Sequence, residues 1–212
     1  MFDDTKKREV LEPNKSTLQP DGSGRDDRYF EIWDEEISGM RVEVGGREVA
    51  DFLTGCRFKD CVIRMQGPLG RMKTYLKDCV FEDCLMWPAR RLSMGTWPAD
   101  FIGCKFKGRW SFRVGGRFED CDLREANIER LELMQSTGPG CQWPSFPHVI
   151  IRDIAKHYSD WASTPILKDY GLVYGPAHVQ PKTLVLDLQQ GFDDPELAWE
   201  QLSEKPWASR AD

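Results

Sequence analysis

Histidine is scarce in this chain: His148, His157 and His178 are the only three, all in the last third of its 212 residues. Little is left for imidazole-based acid–base or metal chemistry. His157 falls beside an apolar stripe and reads as a structural residue. Also missing are H-E-x-x-H, G-x-S-x-G, Walker and dinucleotide-binding glycine patterns, so no enzyme class with a short signature is indicated. Acidic residues are too numerous to single out a catalytic pair. No catalytic residue, metal ligand or cofactor is expected. No stretch approaches the roughly 18 to 20 uninterrupted apolar residues of a membrane span. The first ten residues, MFDDTKKREV, lack the apolar segment of a secretory signal. A cytoplasmic protein without a membrane partner is expected. An even cysteine set is absent too. Cys56, Cys61, Cys79, Cys84, Cys104, Cys121 and Cys141 make seven, and an odd number without an export signal points to reduced thiols rather than a disulfide framework.

The chain does have enough apolar material for a core, with 40% hydrophobic residues. Its net charge of −6 is unevenly distributed. Residues 1–36 carry six Lys/Arg against eleven Asp/Glu, 37–134 carry seventeen against fourteen, and 135–212 carry six against ten. A mildly basic middle therefore sits between two acidic ends.

That middle is repetitive. Four segments align: DFLTG CRFKD CVIRM from Asp51, TYLKD CVFED CLMWP from Thr74, ADFIG CKFKG RWSFR from Ala99 and GRFED CDLRE ANIER from Gly116. Each divides into blocks of five with a large apolar residue third: Leu53, Phe58, Ile63; Leu76, Phe81, Met86; Phe101, Phe106, with Ser111 as the exception; Phe118, Leu123, Ile128. The first slot is small, usually Cys or Ala, and the last two are mostly polar, charged or Gly. A weaker copy, EEISG MRVEV, begins at Glu35. A period of five fits neither a helix nor a flat strand. It fits a chain that turns a corner every five residues, keeps its third side chains inward, and buries them by stacking coil on coil. The copies start 16, 23, 25 and 17 residues apart, not the 20 of four equal sides. GPLG (67–70) and WPARRLSMGTWP (87–98) therefore read as bulging connections. VGGR at 44–47 and 114–117 suggests glycine corners with positive φ.

C-x4-C occurs twice, in Cys56/Cys61 and Cys79/Cys84, which keeps a zinc site in view. The constant offset from each cysteine to the next apolar residue favours thiols packed in the core as small hydrophobes.

CDLRE ANIER (121–130) and ADFIG (99–103) resemble the pentapeptide-repeat proteins, whose unit is a small residue, Asp or Asn, Leu or Phe, then two polar positions. The resemblance covers about residues 35–134. It departs from the motif at the second position in Arg57, Val62, Val80, Leu85 and Lys105. It implies a mainly β fold: a right-handed, four-sided parallel β-helix of about five irregular coils. Residues 1–28, rich in Pro, Gly, Ser and charge, read as a mobile polar leader, and YFEIW (29–33) as a cap on the first coil. The β-helix is expected over 29–134 and a C-terminal α/β cap over 135–212. Within that cap, HVIIRDIAKHYSDWA from His148 has helical spacing, KTLVLDLQ reads as a strand, and a helix should begin at Asp194 with Pro195 in its first turn.

For function, the interrupting segment stands out. It carries Trp87, Arg90, Arg91 and Trp97, residue types that dominate binding hot spots. Arg64 and Arg109, on outward slots, join them as candidate partner-binding residues; Arg57, Lys59, Lys105 and Lys107 could extend a basic stripe. The expectation is a non-catalytic β-helix that binds a protein partner, of the inhibitor or immunity type. Some members of the resembled family bind type II topoisomerases by imitating DNA, and some larger β-helices act on carbohydrate; both stand as alternatives. Nucleic acid is not expected as a partner.

Overall fold

A computed structural model of the chain describes residues 10–11, 19–20, 28–44, 50–65, 74–88, 96–169, 171–172, 175–176, 178 and 180–211. The chain begins with β1 (Val10–Leu11) and β2 (Gln19–Pro20) and then winds through stacked coils. The first coil is β3 (Arg28–Trp33), β4 (Glu36–Ser38) and β5 (Arg41–Val44). The second is β6 (Ala50–Thr54), β7 (Arg57–Lys59) and β8 (Val62–Met65), and the third is β9 (Thr74–Lys77), β10 (Cys79–Glu82) and β11 (Leu85–Pro88). The fourth holds β12 (Thr96–Trp97), β13 (Ala99–Ile102), β14 (Lys105–Phe106) and β15 (Gly108–Val114), and the last β16 (Phe118–Glu119) and β17 (Ala126–Leu133). Equivalent strands pair in parallel, giving the columns β4-β7-β10-β13-β16 and β5-β8-β11-β14. This is a β-solenoid of about four turns.

The third-slot residues form its interior. Phe58, Phe81, Phe101 and Phe118 are fully buried, one per level on one face. Phe81 stacks on Phe58 and Phe101 with ring centroids 4.9 and 5.1 Å apart and planes within 9°. Parallel pairing in exact register places like on like, and offset stacking adds to the burial of these rings. Ser111, the exception in the spacing, marks a β-bulge: between Trp110 and Ser111 the pairing slips from Ile128 to Arg130. Trp110 and Phe112, both fully buried, supply the inward side chains instead.

Among the described residues, nine corners turn at a fifth slot with left-handed backbone. Asp34, Gly39, Gly55, Asp60, Asp78, Asp83, Gly103, Gly108 and Asp120 all have positive φ, each two residues after an inward side chain. Asp tolerates the left-handed region better than most residues, and Gly carries no penalty there. Where the two types stack, glycine also makes room: a Cβ on Gly55 would lie 2.0 Å from Asp34 Oδ1. The glycine corners expected in VGGR fare differently. Gly116 lacks a positive φ and is required by close approach, since a Cβ there would lie 2.4 Å from the Ala99 carbonyl oxygen. The other copy's Gly45 and Gly46, and GPLG at 67–70, lie outside the described residues.

Two short strands lie within the described part of residues 1–28. β1 pairs in parallel with β5 at Arg41 and Val42, and β2 pairs antiparallel with β3 at Arg28 and Tyr29, so both add strands to the first coil's sheets.

At the other end β17 changes partner type. One edge continues the parallel ladder from β15; the other pairs antiparallel with β19 (Thr183–Asp187), which pairs with β18 (His148–Arg152), which pairs with β20 (Ala208–Arg210). The helix expected from His148 is thus a strand for its first five residues. His148, Val149, Ile150 and Ile151 are all buried, and a β-branched run with both faces covered is more stable as a central strand than as an amphipathic helix. Helix begins later, in α1 (Tyr158–Ser163) and α2 (Pro165–Asp169). The strand over KTLVLDLQ is β19, continuing into α3 (Leu188–Gly191). The last helix, α4 (Pro195–Ser203), starts where expected: Asp194 Oδ1 accepts from the Glu196 and Leu197 amides at 3.0 and 3.1 Å. These helices bury Trp161, Leu167, Leu188 and Leu202 in a second core, separate from the solenoid's. Among the described residues no helix is long and apolar enough to cross a membrane.

Candidate functional site

The cysteines stand one slot after the corners and form two columns. Cys56 and Cys79 occupy one, while Cys61, Cys84, Cys104, Cys121 and Cys141 occupy the other. Each thiol faces a carbonyl of the preceding coil, for example Cys56 to Ile32 at 3.3 Å, Cys84 to Phe58 at 3.4 Å and Cys104 to Phe81 at 3.3 Å. A straight file of thiols, each engaged with a backbone oxygen, is packing and not a tetrahedral ligand shell. Among the described residues no group of three His, Cys, Asp or Glu is placed to hold a metal ion. Cys56→Ala is therefore expected to lower stability by only about 1 kcal/mol. A chelator should leave the unfolding midpoint unchanged; a midpoint that drops on chelation would restore a zinc role.

Burial pushes the thiols of Cys84, Cys104 and Cys121 up, and Cys61 is raised first by its contact with Cys84 and then by burial. Cys141, at the open end of the file, is only half-buried and is lowered by its contact with Cys121. Cys56 is also lowered, to about 7, by its contact with Cys79, but it is fully buried. Because reaction needs both a thiolate and access to the reagent, a thiol reagent at neutral pH should modify one cysteine of the folded protein. Mass spectrometry should find it at Cys141, and rapid modification of Cys84 or Cys104 would contradict the buried file.

Outside, the face built by β5, β8, β11 and β14 carries the candidate site. Cross-coil register lines up Glu43, Arg64 and Trp87, with Arg41, Val62, Leu85 and Lys105 in the neighbouring column. Lys107 follows Trp87, its amide bonded to the Met86 carbonyl at 3.0 Å. Met86 and Pro88, the residues flanking Trp87, are buried, whereas Trp87 itself is 51% exposed. A large aromatic left in water at the middle of an otherwise packed strand has no part in the core. Around it Glu43 pairs with Arg41 at 3.0 Å and Arg64 at 3.6 Å, and Glu125 pairs with Lys107 at 3.2 Å and with Lys105. The patch is mixed in charge with a cationic excess.

The candidates from the sequence do not all meet. Trp87 and Arg64 are cross-strand neighbours, although 23 residues separate them. Trp87 and Trp97 belong to strands at the two ends of the segment read as a connection, and Trp97 pairs with Val114 in the backbone. Arg90 and Arg91 lie outside the described residues. Arg109 turns to the C-terminal cap, pairing with Glu129 and donating to Gln190 Oε1 at 3.1 Å. The basic stripe is broken up in the same way: Arg57 pairs with Glu82 at 3.4 Å, and Lys105 and Lys107 share Glu125.

No family model, curated protein or solved structure matches the chain. What bears on its function is its own surface. The face holding β7, β10 and β13 alternates sign, with Arg117 on Asp100 at 2.8 Å beside the Arg57–Glu82 pair. An imitation of duplex DNA needs an unbroken acidic face, and this one is internally neutralised. Lys107, read from the sequence as part of a basic stripe, is brought next to the Trp87 strand by register between coils, a placement the spacing could not give.

Proposed function

We propose that this protein is a non-catalytic binding solenoid, built on degenerate pentapeptide-like coils, that docks a protein partner through the face around Trp87 and blocks what that partner does. The observation that carries the reading is Trp87, 51% exposed between two buried neighbours on a sheet face. Rigid aromatic side chains on a flat scaffold contribute contact area at low entropic cost, and Trp and Arg lead the residues whose truncation abolishes binding. Arg64 beside it, with Arg41, Lys105 and Lys107 near, suits a partner surface with an acidic excess. The five-residue corner rule supports the pentapeptide-like description, since Asp or Gly at positive φ recurs at nine described positions in the coils, each two residues after an inward side chain.

The test is affinity capture from the native cell followed by direct titration of the captured protein. Binding near one-to-one is expected, with Trp87→Ala weakening it by about 2 kcal/mol, roughly 30-fold. Arg64→Ala should slow association and make binding less salt-sensitive. Wild-type affinity in the Trp87→Ala protein would sink the proposal. Turnover of an oligosaccharide, abolished by a single carboxylate change, would replace it with the enzymatic alternative.

A further inference from the structure

We propose that the groove between α2 and α4 is a second docking site, independent of the Trp87 face, for a segment of a partner protein that presents an apolar side chain flanked by lysine or arginine. The groove is lined by Pro165 and Ile166 of α2, by Phe192, and by Leu197, Ala198 and Gln201 of α4, and encloses about 360 Å³. Its floor is apolar and closed: Ile166 and Ala198 are 5% and 2% exposed and belong to the cap's core. Its wall is open, since Leu197 is 55% exposed, one of three large apolar side chains in that state among the described residues. A buried apolar floor under an exposed leucine is the layout of a helix or extended segment received in a groove.

Charge selects the occupant. Asp193 and Asp194 stand at one end of the groove, and the lining holds no cation among the described residues. The whole of 135–212 carries six Lys/Arg against ten Asp/Glu. The first amides of α4 are already satisfied by Asp194, so the helix start does not call for an anionic ligand. The wall is also preorganised. Asp194 caps α4, and Arg210 ties Glu196 to β20 at 2.6 Å, so little ordering is left to be done on binding.

The probe is a fluorescent amphipathic Leu/Lys peptide of about 15 residues, a length at which such helices become populated, titrated into the full chain and followed by anisotropy. Saturable, salt-weakened binding is expected, with Leu197→Gln and Asp193→Lys each weakening it about tenfold. Both positions are exposed, so circular dichroism should report an unchanged fold. Trp87→Ala should bind the probe as wild type does, which separates this site from the proposed function. Equal binding of a Leu/Glu peptide, wild-type affinity in either groove variant, or no saturable binding of the Leu/Lys peptide would overturn the proposal.

Discussion

Phe81→Ala is expected to destabilise the protein by about 3–5 kcal/mol, a large share of the roughly 5–15 kcal/mol that holds a typical domain folded. Phe81 is fully buried and lies between Phe58 and Phe101 in the aromatic column. In a stacked-coil protein each level is supported only by its neighbours. Removing this ring therefore leaves a cavity and loosens two interfaces at once, and the levels on either side cannot close over it without breaking register. Denaturant unfolding followed by tryptophan fluorescence reads the loss. Glu82→Ala, next in sequence but facing out, should cost about 0.5 kcal/mol or less. A loss below about 1 kcal/mol at Phe81 would mean that the column is not what holds the coils together.

Glu132→Ala should be of similar size, about 3–5 kcal/mol, for an electrostatic reason. Glu132 is completely buried in β17, the strand where the parallel solenoid passes into the antiparallel cap. Arg113 Nε reaches its Oε2 at 2.6 Å and Arg130 Nη2 its Oε1 at 2.6 Å. Without the carboxylate, two guanidinium groups only about a quarter exposed lose the anion they share. Glu132→Gln keeps the shape and loses the charge, so it should fall between wild type and Ala. Replacing Arg113, Glu132 and Arg130 together by apolar residues should cost less than Glu132→Ala alone, because no orphaned charge remains. Thermal unfolding of the set decides: a triple variant no better than the single one would show that packing, and not charge, is what Glu132 provides.

Much of the solenoid was legible. The third-slot side chains could be assigned inward because a five-residue period is local and survives changes in coil length. The corner rule was on view in Gly55, Asp60, Asp78, Asp83 and Gly103, yet it reads as a corner only once Asp is recognised as a residue that tolerates positive φ. The helix expected from His148 failed because apolar residues spaced for one helical face also suit a strand covered on both sides. Which of the two forms depended on β19, some thirty residues away, arriving to pair with it. Arg109 looked like a surface cation because nothing nearby in sequence shows that Glu129 and Gln190 come to meet it.

From sequence alone, then, came the stacked coils, the core and the small-residue files within it, since each depends on spacing inside a single turn of chain. The outer surface was decided only by tertiary structure. Neighbours there belong to different coils, successive inward phenylalanines being 17 to 23 residues apart, and connections of unequal length set the register between them. That register puts Arg64 beside Trp87 and commits Arg109 to the cap. No repeat in the sequence encodes either outcome, because an outward side chain is free to vary wherever the core beneath it is kept.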